Sequence, residues 1–511
     1  MNWRHYLILA LLGFTLSFFI AQFQHFPGYL DSDYYFSGGA QLAQGKGFTE
    51  PYLWNYLDDP AGLPHPSHTY WMPLSSIIAA LGMWLTHQTT YAAGRLGFMA
   101  LAALIPVVTA AFAYEFTKRR ELAIISGLLA VFSIYYAPFM AVTDNYAPYL
   151  FLGALYFLTL SSRKTYSYFI LGLLAGLLTL ARSDGLLWLG MTFIVIFFRF
   201  ISERKAGAAS INLLLALCGF LFVSGPWFLR TYSIYGAFLA PGGRYLLFLK
   251  NYDETFAYPA KQLTMQAWLA QGWGKIIATR FSALKFNLLN AFAAQGGIFL
   301  FPFILVGLWQ NRKDERVRVA GIAWLGLLFV MTVIFPYAGA RGGFFHSGSA
   351  LQPMWWVLAP LGLEAVVTAA RSRNMFTPAA FKLFRVALVG IAVMMTAFLF
   401  YLRVYSSWGE GEQNYPKVEA FLQQNGIAAG DVVMVRNPPG YYLMTGRSAI
   451  VVPDGGEATM LAVAARYQAK YLVIEAAGVS GPIEAVYNNK QDQHLLYLGE
   501  LDGTRIFKVN P

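Results

Sequence analysis

Charge is what this 511-residue chain has least of: 12% of its residues are Asp, Glu, Lys or Arg, about half the ~25% typical of soluble domains. With 57% hydrophobic residues, so few charges cannot clothe a water-soluble enzyme, because the apolar area would far exceed the polar surface available to cover it. Cysteine is almost missing too. Cys218 stands alone inside an apolar run, which excludes an intramolecular disulfide and a thiolate metal site. The last hundred residues contain no G-x-G-x-x-G, no P-loop and no nucleophile-triad spacing, so they carry no local signature of nucleotide or acyl-transfer chemistry. What the chain has in excess is apolar and aromatic: 13 Trp, 31 Tyr and 42 Phe. That excess excludes disordered and fibrous classes and points to a polytopic membrane protein.

Crossing a ~30 Å hydrocarbon layer takes about 20 helical residues. Eleven apolar runs approach that length, near 5–23, 92–116, 121–140, 146–161, 166–181, 185–201, 209–229, 292–310, 319–337, 351–370 and 384–402. Leu74 to Leu85 is shorter and reads as an interfacial helix. The first run lacks a small-residue cleavage site and reads as an anchor, not a signal peptide. The formal net charge is +11, which in a soluble protein would suggest a nucleic-acid partner. Here the basic residues gather in alternate loops: Arg4, Lys118 to Arg120, Arg163 and Lys164, Arg199 to Lys205, Arg312 to Arg318, and Arg371 to Arg385. The short loops between them hold only Arg182 and Arg341. The positive-inside rule therefore places the amino terminus in the cytoplasm of a cell that carries the protein in its plasma or inner membrane. No nucleic-acid partner is then needed to explain the charge. Two long loops, 24–91 and 230–291, and the region 410–511 fall on the outer side.

Region 410–511 has the composition of a small soluble α/β domain, following a membrane domain over 1–403. Helices are expected over Pro416 to Gln424 and Glu457 to Tyr467, with strands at Val432 to Val435, Ile450 to Val452, Tyr471 to Ile474, Leu495 to Leu498 and Arg505 to Val509. Alternation of this kind assigns no activity, and docking or lid duty is the plain expectation.

Chemistry concentrates in the first outer loop. Asp31 and Asp33 follow directly on the first apolar run; an acidic pair at membrane depth can serve as a general base or bind a divalent cation such as Mg or Mn. The same pair also suits the cap of a helix starting at Tyr34. In PHPSHTYWMP, His65 and His68 stand three apart between prolines. That setting disfavours a helical zinc site and leaves structural and substrate-contact roles open. Asp144 and Asp184 occupy outer ends of apolar runs, where an ionisable group is costly unless paired or facing a wet cavity. Arg182 is close enough in sequence to Asp184 for a plain ion pair. Arg341 and His346 lie in YAGARGGFFHSGSALQP. There glycines permit close backbone approach, or simple turns, and the two side chains offer donors to an anion.

These features resemble the GT-C superfamily of membrane glycosyltransferases, in particular the bacterial class similar to protein O-mannosyltransferases and lipid A aminoarabinose transferases. The likeness rests on DSDYY at the head of the first loop, AQGKGF after it, WMPL before the interfacial helix, Asp144 in the second loop and the ARSDG turn. Two positions depart from the pattern: Asp31-Ser32-Asp33 replaces the usual Asp-Glu, and Trp71-Met72-Pro73 stands where several relatives have Lys-Pro-Pro. The WWDYG motif of oligosaccharyltransferases is absent, which disfavours en bloc glycan transfer to Asn. The resemblance implies a sugar transferase that takes its donor from a polyprenyl phosphate and passes it, with inversion, to a lipid, glycan or protein acceptor on the outer face. It further implies Asp31 as the base, Asp33 orienting the acceptor or holding a metal, and Arg341 with His346 on the carrier phosphate. Arg230, Arg244 and Lys250 are secondary candidates for the phosphate. A secondary transporter or flippase for a lipid-linked or anionic substrate is the alternative; it would place its binding groups near the bilayer midplane.

Overall fold

The computed structural model describes every residue except 376, 378–379, 491–492 and 511. Residues 3–405 form a helical bundle. Among the described residues seven helices are long and apolar enough to cross a membrane: Trp3–Ala21, Tyr91–Thr117, Ser183–Glu203, Ala206–Tyr235, Glu315–Ile334, Pro336–Arg371 and Ala380–Tyr405. The other four expected spans are shorter helices: Arg120–Val131, Tyr146–Leu160, Thr165–Ala181 and Phe301–Gln310. Two of these are cut by backbone that a helix cannot contain. After Val131 the chain turns through Ile134 at φ 53° into a 3-10 turn carrying Pro138. Before Phe301, Gly297 and Ile298 both take positive φ. Irregular backbone at such depth is tolerated where protein covers it and supplies partners. The Ile134 amide, for instance, donates to the Thr396 hydroxyl at 3.2 Å.

The basic end of the bundle is stitched by ion pairs. Arg199 binds Glu315 at 2.7 Å, Arg316 binds Glu115 as well as Asp314 at 2.8 Å, and Arg119 and Arg385 share Glu364. The opposite end carries the long loops. There α1 (Trp3–Ala21) passes through a short turn into α2 (Leu30–Ala43), which packs on α3 (Leu74–Thr86). The turn is locked at Gly28, whose φ of +88° suits glycine. A side-chain carbon there would lie 2.4 Å from the Trp408 indole nitrogen, which itself donates to the Phe26 carbonyl at 2.9 Å.

Two short strands, β1 (Thr49–Glu50) and β2 (His65–Pro66), pair within the first long loop. The terminal region folds around β3 (Val432–Val435), β4 (Ala449–Val451), β5 (Ala469–Glu475), β6 (Leu495–Leu501) and β7 (Thr504–Val509), in the order β4-β3-β5-β7-β6. β3 is parallel to β4 and β5, while β7 runs antiparallel to β5 and β6. Alternate side chains feed opposite faces, as the strand period demands. Val433 and Val435 pack with Val418, Leu422 and Tyr441, while Met434 packs with Met460, Val463 and Tyr467. All five strands and both helices expected here from the sequence are present, with ends within a few residues, and a further helix, Pro438–Thr445, follows β3.

This sheet is clamped to the loops of the bundle. Leu53 pairs with the outer edge of β4, its amide donating to the Ala449 carbonyl at 2.9 Å and its carbonyl accepting from Val451 at 2.8 Å. The Asp454 amide donates to Phe256 at 3.0 Å, and the Ser480 hydroxyl bonds Asp253 at 3.1 Å. An otherwise open sheet edge is thereby covered.

Candidate active site

Asp31 sits in the first turn of α2, whose N-cap is Tyr29. The acidic pair is therefore inside the helix, not capping a helix that begins at Tyr34. Near a helix N-terminus the macrodipole favours the ionised carboxylate. The neighbouring Ser32 is buried and exchanges hydrogen bonds with Thr143: hydroxyl to hydroxyl at 3.0 Å, and the Thr143 hydroxyl to the Ser32 carbonyl at 3.0 Å. This splice brings Asp144 beside Asp31. Asp144 is fully buried, accepting from the Tyr29 hydroxyl at 2.6 Å and from the Asn145 amide at 2.5 Å.

His346 arrives from the far side on the short helix Phe344–Gly348. Its ring stacks on Tyr146 with centroids 4.1 Å apart, and its Nε2 lies 3.8 Å from an Asp31 oxygen. One ligand atom each from Asp31, Asp144 and His346 fall within 4.8 Å of one another. His346 Nδ1 meets the Asn145 side-chain amide oxygen at 2.9 Å, which accepts from an Nδ1 proton. Nε2 then presents a lone pair, for which the Tyr146 hydroxyl at 2.7 Å is the present donor. A ring N–H held by a carbonyl is the usual outer support of a metal-bound imidazole. Two carboxylates and one imidazole suit Mg, Mn or Zn.

Arg182 and Asp184 form the ion pair expected of neighbours, at 3.0 Å. Asp184 also accepts from Tyr149 at 2.8 Å and from Ser347, the residue next to His346. Thus held, the Arg182 guanidinium favours ionisation of both Asp31 and Asp144. Burial opposes it and wins for both carboxyls. Asp31 is raised by burial and then by the Asp144 charge, and Asp144 is raised by burial against the hydrogen bonds it accepts. About a quarter of the Asp31 side chain reaches solvent, so among the three it is the carboxylate that a substrate can meet. Arg341 is exposed, its guanidinium 4.5 Å above the Tyr252 ring.

Other expected site residues lie elsewhere. Asp33 does not join Asp31 in the cation cluster. Two residues along a helix turn the side chain by about 200°, so Asp33 faces the terminal domain, accepting from the Asn437 amide at 2.8 Å and bonding Glu412. The partners of Asp31 are Asp144 and His346 instead. His65 and His68 are spent inside the first long loop. His65 Nε2 meets the Tyr52 carbonyl at 3.0 Å, and His68 contacts Ser67 at 2.7 Å and Ser76 at 2.8 Å. Burial pushes His65 down to about 4 and His68 down to about 3, leaving both neutral near pH 7 and without a charge to offer phosphate. Arg230 clasps the same loop through the Phe48 and Ser67 carbonyls at 3.0 and 3.2 Å, Lys250 pairs with Glu254 at 2.9 Å, and Arg244 bonds Tyr245 at 3.0 Å. Sequence reasoning missed Tyr29, Asn145, Tyr146 and Ser347. Asn145 and Tyr146 adjoin Asp144, and Ser347 adjoins His346, which was the available signal; nothing in the sequence singles out Tyr29.

No protein-family model matches the chain, and no curated protein matches its sequence. Its fold does match solved membrane glycosyltransferases. The apo crystal structure of ArnT from Cupriavidus metallidurans superposes with a TM-score of 0.55 at 11% identity, covering 98% of this chain and 97% of that one. The Archaeoglobus fulgidus oligosaccharyltransferase complexed with Zn and sulfate gives 0.58 at 15% identity, over 94% of this chain and 69% of that one. AglB from Archaeoglobus fulgidus, with an inhibitory peptide and a dolichol-phosphate, gives 0.54 at 12%, over 92% and 69%. The chain is thus a membrane protein similar in fold to the GT-C glycosyltransferases, as its sequence motifs indicated. The likeness to ArnT, unlike that to the oligosaccharyltransferases, runs the full length of both proteins.

Proposed function

We propose that the protein transfers a sugar from a polyprenyl-phosphate-type lipid donor to an acceptor on the extracytoplasmic face of the membrane, with inversion at the sugar carbon. The observation that carries this reading is the convergence of Asp31, Asp144 and His346 from three separate segments at the loop-bearing end of the bundle, in a fold shared with proteins solved with dolichol-phosphate and with Zn and sulfate. The gathering of basic residues at the opposite end supports an extracytoplasmic position for this one.

Asp31 is the base. Its partly exposed carboxylate accepts the proton of the acceptor hydroxyl as that oxygen attacks the sugar carbon, and the bond to the carrier phosphate breaks on the opposite face. Positive charge develops on the sugar ring and negative charge on the departing phosphate, as in other glycosyl transfers. Arg341, exposed above Tyr252, and Arg182, fixed by Asp184, supply fixed positive charge for the latter. A divalent cation held by Asp31, Asp144 and His346 would add a Lewis acid at the same place. Asn145 and Tyr146 fix the imidazole, Tyr29 fixes Asp144, and the buried Ser32–Thr143 bonds keep the two aspartates in register.

Asp31→Asn keeps the shape and removes the base. Transfer from a polyprenyl-phosphate sugar by purified protein in nanodiscs should fall by about a thousandfold or more, with insertion and thermal midpoint unchanged. Turnover at the wild-type rate would refute the assignment.

A further inference from the structure

The terminal sheet presents its binding edge to the catalytic end of the bundle. β3 leads through Pro438–Thr445 to β4 on one side, and β4 leads through Glu457–Tyr467 to β5 on the other. The two connecting helices cover opposite faces: Tyr441 packs with Val433 and Val435, and Met460 and Val463 pack with Met434. The strand order therefore reverses between β3 and β5. In open parallel sheets the crevice at such a reversal, at the carboxyl ends of the strands, is where ligands bind. Here that crevice is flanked by Arg436 and Asn437 after β3 and by residues 476–478 after β5.

The crevice does not face bulk water alone. Asn437 donates to Asp33 at 2.8 Å, on the helix that carries Asp31. Ser480 bonds Asp253 at 3.1 Å, next to Tyr252, the ring beneath Arg341. Between these two anchors stands Arg436. It is exposed, its shaft packs along Gly478, where a side-chain carbon would come within 3.1 Å of Arg436 Cδ, and its charge favours ionisation of the Glu475 carboxyl at the end of β5. The Tyr252 phenol feels the Asp31 carboxylate and the guanidinium charges of both Arg341 and Arg436. An exposed guanidinium at a strand-reversal crevice, on a domain anchored through Ser480 to Asp253 next to the Tyr252 ring that lies under Arg341, is suited to the oxygens of a phosphate monoester or diester.

We propose that Arg436, from the terminal domain, is a binding residue for the phosphate of the lipid carrier, so that the site is built from both domains. This rests on the lipid-phosphate donor argued above and extends it to a residue outside the membrane bundle. The domain then serves as one wall of the donor site, beyond a docking role.

The test measures binding of undecaprenyl phosphate, and of neutral undecaprenol as the control, to the full-length protein in nanodiscs by native mass spectrometry. Wild-type protein should prefer the phosphate. Arg436→Gln should weaken phosphate binding roughly tenfold or more, leave undecaprenol binding unchanged and keep the thermal midpoint, and Arg436→Lys should recover part of the loss. Phosphate binding by Arg436→Gln equal to wild type, or an equal loss for phosphate and alcohol, would overturn the role of Arg436 alone. Absence of any preference for the phosphate in wild-type protein would overturn the donor reading and this inference together.

Discussion

At the scale of single residues, the proposed chemistry depends on two neighbouring carboxylates, Asp144 buried and Asp31 partly exposed. Burial raises both carboxyls, and the charge of Asp144 raises Asp31 further. The sign of a test follows. A carboxyl with a raised pKa becomes a base only as pH climbs through that raised value. Replacing Asp144 by Asn removes a like charge, so Asp31 should ionise at lower pH, by roughly one unit. Infrared titration of the carboxyl stretch in chelator-treated protein reads this directly; an unmoved or upward-shifted Asp31 would contradict the geometry. Asp31 stood out in the sequence as one of an acidic pair, Asp144 as a costly group at a span end, and His346 as a donor for an anion. Their grouping did not, because nothing local in the chain relates positions 31, 144 and 346. Asp33 shows the converse. Its proximity to Asp31 in sequence suggested a shared role, yet the helix period sends it to another partner.

At the scale of elements, the site depends on how α1 passes into α2. Gly28 takes φ +88° while the Trp408 ring fills the space a side chain would occupy. Gly28→Ala combines backbone strain with a clash and should lower stability by about 2 kcal/mol, read as a fall in thermal midpoint, with transfer reduced because Asp31 lies three residues on. A midpoint equal to wild type would show that the turn is more pliant than drawn. The length of the apolar runs located the helices, seven of them long enough to cross a membrane among the described residues, and the strand pattern of the terminal region was legible because a small sheet with both faces covered leaves a clear signature in each strand. The breaks at Ile134 and Gly297 were not legible. Hydropathy records how apolar a run is and does not register where its backbone leaves the helix, since buried irregular backbone is as apolar as the helix it interrupts.

At the scale of the whole molecule, the terminal domain and the bundle meet across a pair of buried acids. Asp33 and Glu412 face each other, each raised by burial first and bonded to one another, with Asn437 donating to both, at 2.8 Å to Asp33 and 3.3 Å to Glu412. A raised folded-state pKa contributes stability that is complete below the unfolded value, near pH 4, and drains away as pH rises through the folded one. Glu412→Gln removes one of the two charges. The variant should match wild type near pH 4 and exceed it at pH 8 by on the order of 1 kcal/mol, seen as a thermal-midpoint advantage that grows from pH 4 to pH 8. A destabilised variant at pH 8 would mean that the ionised pair is held by charges beyond those described.

The sequence by itself determined the solvent this protein lives in, the spacing of its helices, the terminal sheet and the candidate acids, because burial in lipid, periodicity and the cost of a charge near hydrocarbon are properties of short stretches. Only the tertiary structure decided which acids lie together and that the terminal domain leans on the helix that carries Asp31. Those facts depend on contacts between residues one hundred to four hundred positions apart, and about half a helical turn separates the carboxylate beside Asp144 and His346 from the one that faces a neighbouring domain. The scarcity of charge that marks the chain therefore has two meanings: in the helices it reflects lipid, and at the loop-bearing end it leaves a few acids, Asp31, Asp33, Asp144 and Asp184, whose neighbours only the fold could assign.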